Sequence, residues 1–192
     1  MLSATIIEDL STRYEHEPKA RIVFFYFDFR DTKKQETEGC IRTFLRQLSA
    51  TVLPASVATL YNKSRSGYVI DIEEFKNVLR GILHETTVTF LLFDALDECS
   101  ETTGLMKAIK DIYEWKLSNV RILATSREIE DIKVIMKDLA VPIPLETTTV
   151  NQDIETFVTQ SFSYDGRLKQ LAADPVAKEI IGNAIMTKSN GM

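Results

Sequence analysis

The sequence contains little of what marks several common classes of protein. It has two cysteines, Cys40 and Cys99, without metal-binding spacing around them, which argues against a disulfide scaffold or a zinc site. No apolar run exceeds the length of a β-strand and no secretory signal opens the chain, so we expect no membrane partner. Lys and Arg number 23 against 28 Asp and Glu and form no basic patch, so we expect no nucleic-acid partner. These features together predict a cytoplasmic protein with reduced thiols.

The chain is instead rich in short apolar segments of two kinds. Its 192 residues are 44% hydrophobic and 27% charged, which is typical of one globular domain with part of a second. Continuous β-branched and aromatic runs predict strands, and apolar residues that recur every three or four positions predict helices. The predicted strands are 21–29, 88–93, 120–125 and 141–145, and the predicted helices begin near residues 2, 37, 54, 71, 105 and 128.

The order of these segments predicts the fold class. Strands that alternate with helices at this spacing favour right-handed crossovers and an α/β fold, with a parallel sheet between two layers of helices. After residue 147 strands cease, and Asn151 and Asp174 begin two further helices. We therefore expect an α/β domain over residues 1–146 and the beginning of a helical domain over residues 147–192.

The segment VTFLLFDALDECS, residues 88–100, is the centre of the predicted sheet. Six residues of strand character run into Asp94, Asp97 and Glu98, so a strand buried on both faces brings three carboxylates to its C-terminal end. That edge of a parallel sheet is where open α/β folds bind ligands, and a carboxylate cluster there suits Mg²⁺. The alternative is that Asp94 caps the next helix while Asp97 and Glu98 are solvated loop acids.

A second strand end carries a cation. Arg127 follows the strand 120–125, and parallel strands end at the same edge, so we expect it to face the same cleft as the acids. A bound Mg²⁺, a carboxylate that orients water and an arginine beside the terminal phosphoryl group together suit a polyphosphate. The alternative is a surface Arg127 that pairs with Glu128 or Glu130 in the first turn of the next helix.

Other catalytic interpretations have less support. His16 and His84 lie on separate predicted helices, without an HExxH motif or a nucleophile elbow. Cys99 follows an acidic residue, whose charge raises rather than lowers the pKa of a thiol. A phosphotransferase of the haloacid dehalogenase type requires Asp-x-Asp, whereas two residues separate Asp94 from Asp97.

The segments around the two strand ends resemble those of NACHT-type P-loop NTPases of the STAND class. LLFDALDEC, residues 91–99, is similar to their extended Walker B motif, and RILATSRE, residues 121–128, is similar to their sensor 1 strand. YFDFRDTKKQ, residues 26–35, and VNQDIETFV, residues 150–158, are similar to fungal NACHT proteins. Those proteins carry ankyrin or WD repeats and share a nephrocystin-like N-terminal domain. The resemblance extends over essentially the whole chain.

The resemblance implies a role for each candidate residue. Asp94 would hold the Mg²⁺ shell, Asp97 or Glu98 would position the hydrolytic water, and Arg127 would sense the terminal phosphate of ATP or GTP. The family's P-loop, GxxxxGK[ST], is absent, because none of the seven glycines lies five positions from another. In the family the helix that begins TIIEDL directly follows this loop, so we expect the chain to start after it and to lack the P-loop strand beside the sensor 1 strand.

Two hypotheses of function follow from these observations. The first is a fragment of a NACHT signalling NTPase in which binding and hydrolysis of ATP or GTP are lost or very weak. The second is a non-enzymatic interaction or oligomerisation module, whose bared sheet edge pairs with a second copy or with another NACHT protein.

Overall fold

The computed structural model describes residues 2–145, 156, 160, 180, 181 and 184. By its internal contacts the chain divides into two units, Met1–Ala140 and Val141–Met192. The predicted boundary near residue 146 stays a prediction. In the part of the chain that is described, no helix is long and apolar enough to cross a membrane.

The first unit alternates helices with parallel strands. Its strands are β1 (Ala20–Tyr26), β2 (Val88–Asp94) and β3 (Val120–Ala124). Its α-helices are α1 (Leu2–Arg13), α2 (Thr37–Leu48), α3 (Ala55–Arg65), α4 (Ile72–His84), α5 (Thr102–Glu114) and α6 (Glu130–Met136). Short 3-10 helices cover Thr32–Lys34 and Leu96–Glu98. The predicted α/β class with a parallel sheet is therefore confirmed.

The sheet has the strand order β1-β2-β3, and both pairs are parallel. The strand β2 is central because its side chains are apolar on both faces, as the sequence predicted. Side chains of successive residues point to opposite faces, so Leu91 and Phe93 share one face and Phe90 lies on the other. The central position of β2 places its C-terminal acids between the ends of its two neighbours.

Helices cover both faces of this sheet. On one face, Phe93 meets Phe44 of α2 edge to face with ring centroids 5.1 Å apart, inside a core that also includes Leu79 of α4 and Ile109 of α5. On the other face, Tyr14 at the end of α1 contacts Phe90 with ring centroids 5.1 Å apart. The arrangement is consistent with a three-layer, P-loop-like fold.

Local sequence explains several of the helix boundaries. The carboxylate of Asp71 accepts a hydrogen bond from the backbone N–H of Glu74 at 2.8 Å and so caps α4, as the capping pattern predicted. Pro54 precedes the first residue of α3, where its missing N–H costs no helical hydrogen bond.

The predicted strand over residues 141–145 is wrong. In the structure this segment has no regular secondary structure, and Val141, Ile143 and Leu145 are exposed. The intervening Pro142 and Pro144 have no N–H, so only alternate residues can donate to a ladder. The helices predicted from Asn151 and Asp174 lie mostly outside the described residues, although Thr156, Gln160, Ile180, Ile181 and Ala184 are helical.

Candidate functional site

The candidate site lies at the edge of the sheet where all three strands end. The last residue of β2 is Asp94, which is the ladder partner of Tyr26 on β1. On the other side, Phe93 is the partner of Ala124, so Thr125 follows directly beside Asp94. Because the strands are parallel, Arg127 and the three acids meet at one edge, as the sequence predicted. We call this group, Asp94, Asp97, Glu98 and Arg127, the acid edge.

A sharp turn after β2 gives the acid edge its shape. Ala95 has a φ of 59°, in the left-handed region that residues with a Cβ rarely adopt. The chain then enters the 3-10 helix Leu96–Glu98. Backbone N–H groups in this turn are bound by Thr125: that of Ala95 donates to its Oγ1 at 3.0 Å, and that of Leu96 donates to its carbonyl at 2.9 Å. The end of β3 therefore holds the turn in place.

The carboxylate of Asp94 is held by two hydroxyl groups. Oγ1 of Thr125 donates to its Oδ1 at 2.7 Å, and Oγ of Ser3 on α1 donates to the same oxygen. Ser3 is buried, whereas Asp94 is half-buried. Burial raises the pKa of the nearby Tyr26 hydroxyl, and the negative charge of Asp94 raises it further. Asp94 caps no helix, so the capping alternative is not found for this residue.

Asp97 and Arg127 form an ion pair at the same edge. Nε of Arg127 donates to Oδ2 of Asp97 at 2.6 Å, and the backbone N–H of Arg127 donates to Oδ1 at 3.0 Å. The side chain of Asp97 is 3% exposed, whereas that of Arg127 is 59% exposed. Burial acts to raise the pKa of Asp97, but the hydrogen bonds from Arg127 outweigh it, so the pKa lies below its ordinary value.

Arg127 pairs with Asp97 rather than with Glu128 or Glu130, the partners that the surface alternative predicted. Glu128 instead accepts from Lys133 at 2.5 Å. The guanidinium of Arg127 is oriented by Asp97 and remains largely open to solvent. An oriented, exposed guanidinium is suited to binding an anion by a forked contact.

Glu98 faces the loop after β1. Its Oε2 accepts a hydrogen bond from the backbone N–H of Phe29 at 3.1 Å, and the residue is half-buried. In the same loop Asp28 forms an ion pair with Arg30 at 3.0 Å. The carboxylate of Glu98 thus contacts the loop after β1, whereas that of Asp97 is bound by Arg127.

The oxygen atoms around Asp94 determine which metal ion the site suits. Asp94 brings a carboxylate, the kind of hard oxygen ligand that Mg²⁺ prefers, and the hydroxyl groups of Ser3 and Thr125 donate to that carboxylate. Within the described ranges, no group of three His, Cys, Asp or Glu side chains is arranged to hold a metal. The residues therefore fit an ion that takes one carboxylate from the protein and completes its shell with phosphate and water oxygens.

Sequence reasoning missed two residues of this site. Thr125 ends the predicted strand 120–125, two residues before Arg127. That predicted strand was therefore a signal for its position beside Asp94. Ser3 left no such signal, because its contact with Asp94 joins residues 91 positions apart through the placement of α1.

Cys40 and Cys99 are buried free thiols, and burial raises the pKa of both, as expected for unreactive cysteines.

The structure shows an α/β domain, consistent with a P-loop-like fold, with carboxylates and an arginine at the C-terminal ends of parallel strands. The family model described as Nephrocystin 3, N-terminal matches residues 1–127, and the chain belongs to this family. The match is consistent with a NACHT-type domain. No curated protein and no solved structure matches the chain.

Proposed function

We propose that the chain is part of a NACHT-type signalling NTPase of the fungal ankyrin or WD-repeat kind, located in the cytoplasm. Its acid edge would serve the Mg²⁺ and the terminal phosphate of ATP or GTP. The observation that supports this proposal is the meeting of Asp94 with the Asp97–Arg127 ion pair at one sheet edge. A metal-binding acid and an oriented guanidinium side by side suit a magnesium-bound triphosphate.

Each residue of the acid edge has a role in this proposal. Asp94 would hold the Mg²⁺ shell, and bound Mg²⁺ supplies charge neutralisation at the phosphate oxygens. Arg127 would bind the terminal phosphate, with Asp97 fixing the direction of its guanidinium. Glu98 is the better candidate to orient the hydrolytic water, because the carboxylate of Asp97 is already engaged by Arg127.

The same proposal limits what the chain does alone. Phosphates of a bound nucleotide are normally held by the backbone N–H groups and the lysine of a P-loop, and the sequence contains no such motif. We therefore expect binding and hydrolysis of ATP or GTP by this chain to be lost or very weak.

Isothermal titration calorimetry tests this expectation. Titration of Mg-ATP and Mg-GTP into the chain should give no measurable heat of binding at tens of micromolar protein. A micromolar dissociation constant that disappears in Asp94→Asn would contradict the expected loss of affinity and would show that the acid edge alone holds a nucleotide.

A second candidate function is an interaction module. It is favoured by a difference between the two lateral edges of the sheet, which are the outer sides of β1 and β3. The outer edge of β1 is protected: the side-chain amide of Gln47 binds the N–H and the C=O of Phe24, both at 2.9 Å. Arg21 donates to the carbonyl of Ala20 at 2.7 Å on the same edge. Groups bound in this way cannot pair with another strand.

The outer edge of β3 is less protected. Asn119 accepts from Thr89, and Thr125 donates to Phe93, so these odd-numbered residues of the β3 segment face β2. By alternation, Ile122 turns its backbone away from β2, as do its neighbours at positions 120 and 124. Within the described part of the chain, hydrogen bonds on this edge occupy Val120, whose N–H donates to the carbonyl of Leu117 at 3.1 Å and whose carbonyl accepts from Arg121 at 3.0 Å.

Such an edge can add a strand from a second copy of the chain or from another NACHT protein. Analytical ultracentrifugation of the chain over a concentration series tests self-association. Ile122→Pro removes an outward N–H without removing a donor to β2, so it should shift a dimer towards monomer while circular dichroism stays unchanged. A monomer at tens of micromolar would count against this candidate.

A further inference from the structure

Thr125, which lies outside the acid edge, forms hydrogen bonds with each of the four residues 93–96, where the chain leaves β2. The backbone N–H of Thr125 donates to the carbonyl of Phe93 at 2.9 Å, and its hydroxyl donates to Asp94 at 2.7 Å. The hydroxyl accepts from the N–H of Ala95 at 3.0 Å, and its carbonyl accepts from the N–H of Leu96 at 2.9 Å. A single threonine thus binds four consecutive residues of the neighbouring segment.

The conformation of Ala95 makes these contacts necessary. Its φ of 59° is unfavourable for a residue with a Cβ, and such conformations persist only where surrounding contacts hold them. The N–H of Ala95 is bound by the side chain of Thr125, not by a backbone carbonyl. The hydroxyl therefore supports the one strained residue in the turn that directs Asp97.

The threonine also connects the two partners of the ion pair. Asp97 comes two residues after Ala95, and Arg127 comes two residues after Thr125. The Ala95–Thr125 hydrogen bond thus joins the two segments two residues ahead of the ion pair along the chain. This bond therefore links the segment that carries the carboxylate to the segment that carries the guanidinium.

We propose that Thr125 is the positioning residue of the acid edge, and that its hydroxyl fixes both the carboxylate of Asp94 and the turn that presents Asp97 to Arg127. This inference rests on the proposed function in taking those groups as the working groups of the site. Thr125 acts through them and touches no reacting atom. Its function requires the hydroxyl, not only the volume of the side chain.

Amide hydrogen exchange measured by NMR tests the proposal with two variants that separate the hydroxyl from the shape of the side chain. Thr125→Val keeps the shape and removes the hydroxyl, and Thr125→Ser keeps the hydroxyl. The exchange rate of the Ala95 amide, relative to that of Leu92 within β2, should rise about tenfold in Thr125→Val and return to near the wild-type ratio in Thr125→Ser.

Thr89→Val is the matched control. Thr89 is a buried threonine of β2, and its hydroxyl donates to Thr86 at the opposite end of the strand, at 2.8 Å. This variant should lower overall stability without changing the ratio of the Ala95 rate to the Leu92 rate. An equal change of that ratio in Thr89→Val, or none in Thr125→Val, would overturn the proposal.

A measurement on the unaltered protein covers the case in which Thr125→Val does not fold. The hydroxyl proton of Thr125 should be observable as a slowly exchanging signal with a nuclear Overhauser effect to the Ala95 amide proton. A rapidly exchanging hydroxyl without that effect would refute the positioning role. The calorimetric titration with Mg-ATP reports separately on the proposed function, because neither NMR measurement requires a nucleotide.

Discussion

The ammonium group of Lys76 on α4 contacts the carboxylate of Asp111 on α5 and so joins two helices on the same side of the sheet. The side chain of Lys76 is 5% exposed and also pairs with Glu73 at 2.7 Å. Burial acts to lower the pKa of Lys76, but the hydrogen bonds to Asp111 and Glu73 outweigh it and raise the pKa above its ordinary value. The lysine is therefore charged and paired at neutral pH.

Removal of this lysine should destabilise the domain. Lys76→Ala leaves two carboxylates beside each other without their cation and removes buried methylene groups. Because Asp111 and Glu73 are 27% and 57% exposed and can rehydrate, we expect a loss of about 2 kcal/mol in the free energy of unfolding.

Chemical denaturation of Lys76→Ala beside Lys110→Ala measures this effect. Lys110 pairs with Glu114 at 3.9 Å, and both side chains are 57% exposed, so its loss should change the free energy of unfolding by no more than about 0.5 kcal/mol. Equal effects of the two substitutions would show that the burial of Lys76 contributes nothing.

The ion pair between Asp97 and Arg127 should make stability depend on pH. The pKa of Asp97 is lower in the folded state than its ordinary value of 3.8, so the folded state favours the ionised carboxylate. Its contribution is fully present at pH values above that ordinary value and is lost as the pH falls through the lowered pKa. Asp97→Asn should therefore be less stable than wild type at pH 7, and the difference should shrink as the pH falls below 3.8.

The free energy of unfolding of Asp97→Asn and wild type, followed from pH 7 to pH 2, shows this convergence. Asp28→Asn is the comparison, because Asp28 also has a lowered pKa but pairs with Arg30 two residues away. A pair so close in sequence partly persists in the unfolded chain, so its pH dependence should be smaller. A constant difference between Asp97→Asn and wild type across the range would contradict the prediction.

The contact between Gln47 and Phe24 should matter for the edge of β1. Gln47→Ala leaves a backbone donor and a backbone acceptor of Phe24 without their partner, at a cost of about 1–2 kcal/mol in the free energy of unfolding. Gln47→Glu keeps an acceptor for the N–H but places a charge beside the carbonyl, so it should not restore wild-type stability. Exchange of the Phe24 amide should be fastest in Gln47→Ala, and a rate equal to wild type would disprove the protection.

The ring pair that joins α2 to the sheet should be the most sensitive contact of the core. Phe44 and Phe93 are buried with centroids 5.1 Å apart, so Phe44→Ala removes a ring from a filled core and should cost about 3–5 kcal/mol. Val69→Ala, at a residue that is 96% exposed, should be nearly neutral. Thermal unfolding of both variants checks the difference, and a small effect at Phe44 would mean that the core repacks around the gap.

Much of the fold was predictable from local pattern. The strand β2 was identified as central because a run apolar on both faces has no solvent side, and the structure confirms its position between β1 and β3. The prediction failed at residues 141–145, where apolar residues alternate with prolines. Side-chain pattern alone favoured a strand there, whereas the missing N–H groups of Pro142 and Pro144 disfavour one.

The acid edge was predictable in its members but not in its contacts. Parallel strands end at one edge, so the meeting of Asp94, Asp97 and Arg127 followed from the order of the strands. The partner of Arg127 did not follow, because Glu128 and Glu130 were nearer in sequence and a left-handed turn at Ala95 was needed to bring Asp97 to it.

The sequence alone determined the alternation of helices with parallel strands, the central position of β2 and the kinds of side chain at the strand ends, because each depends on the periodicity of neighbouring residues. The tertiary structure decided which of those side chains touch: Ser3 with Asp94, Thr125 with Ala95, and Asp97 with Arg127. Such contacts join residues 30 or more positions apart, and their geometry depends on how helices and strands pack, which local pattern does not encode.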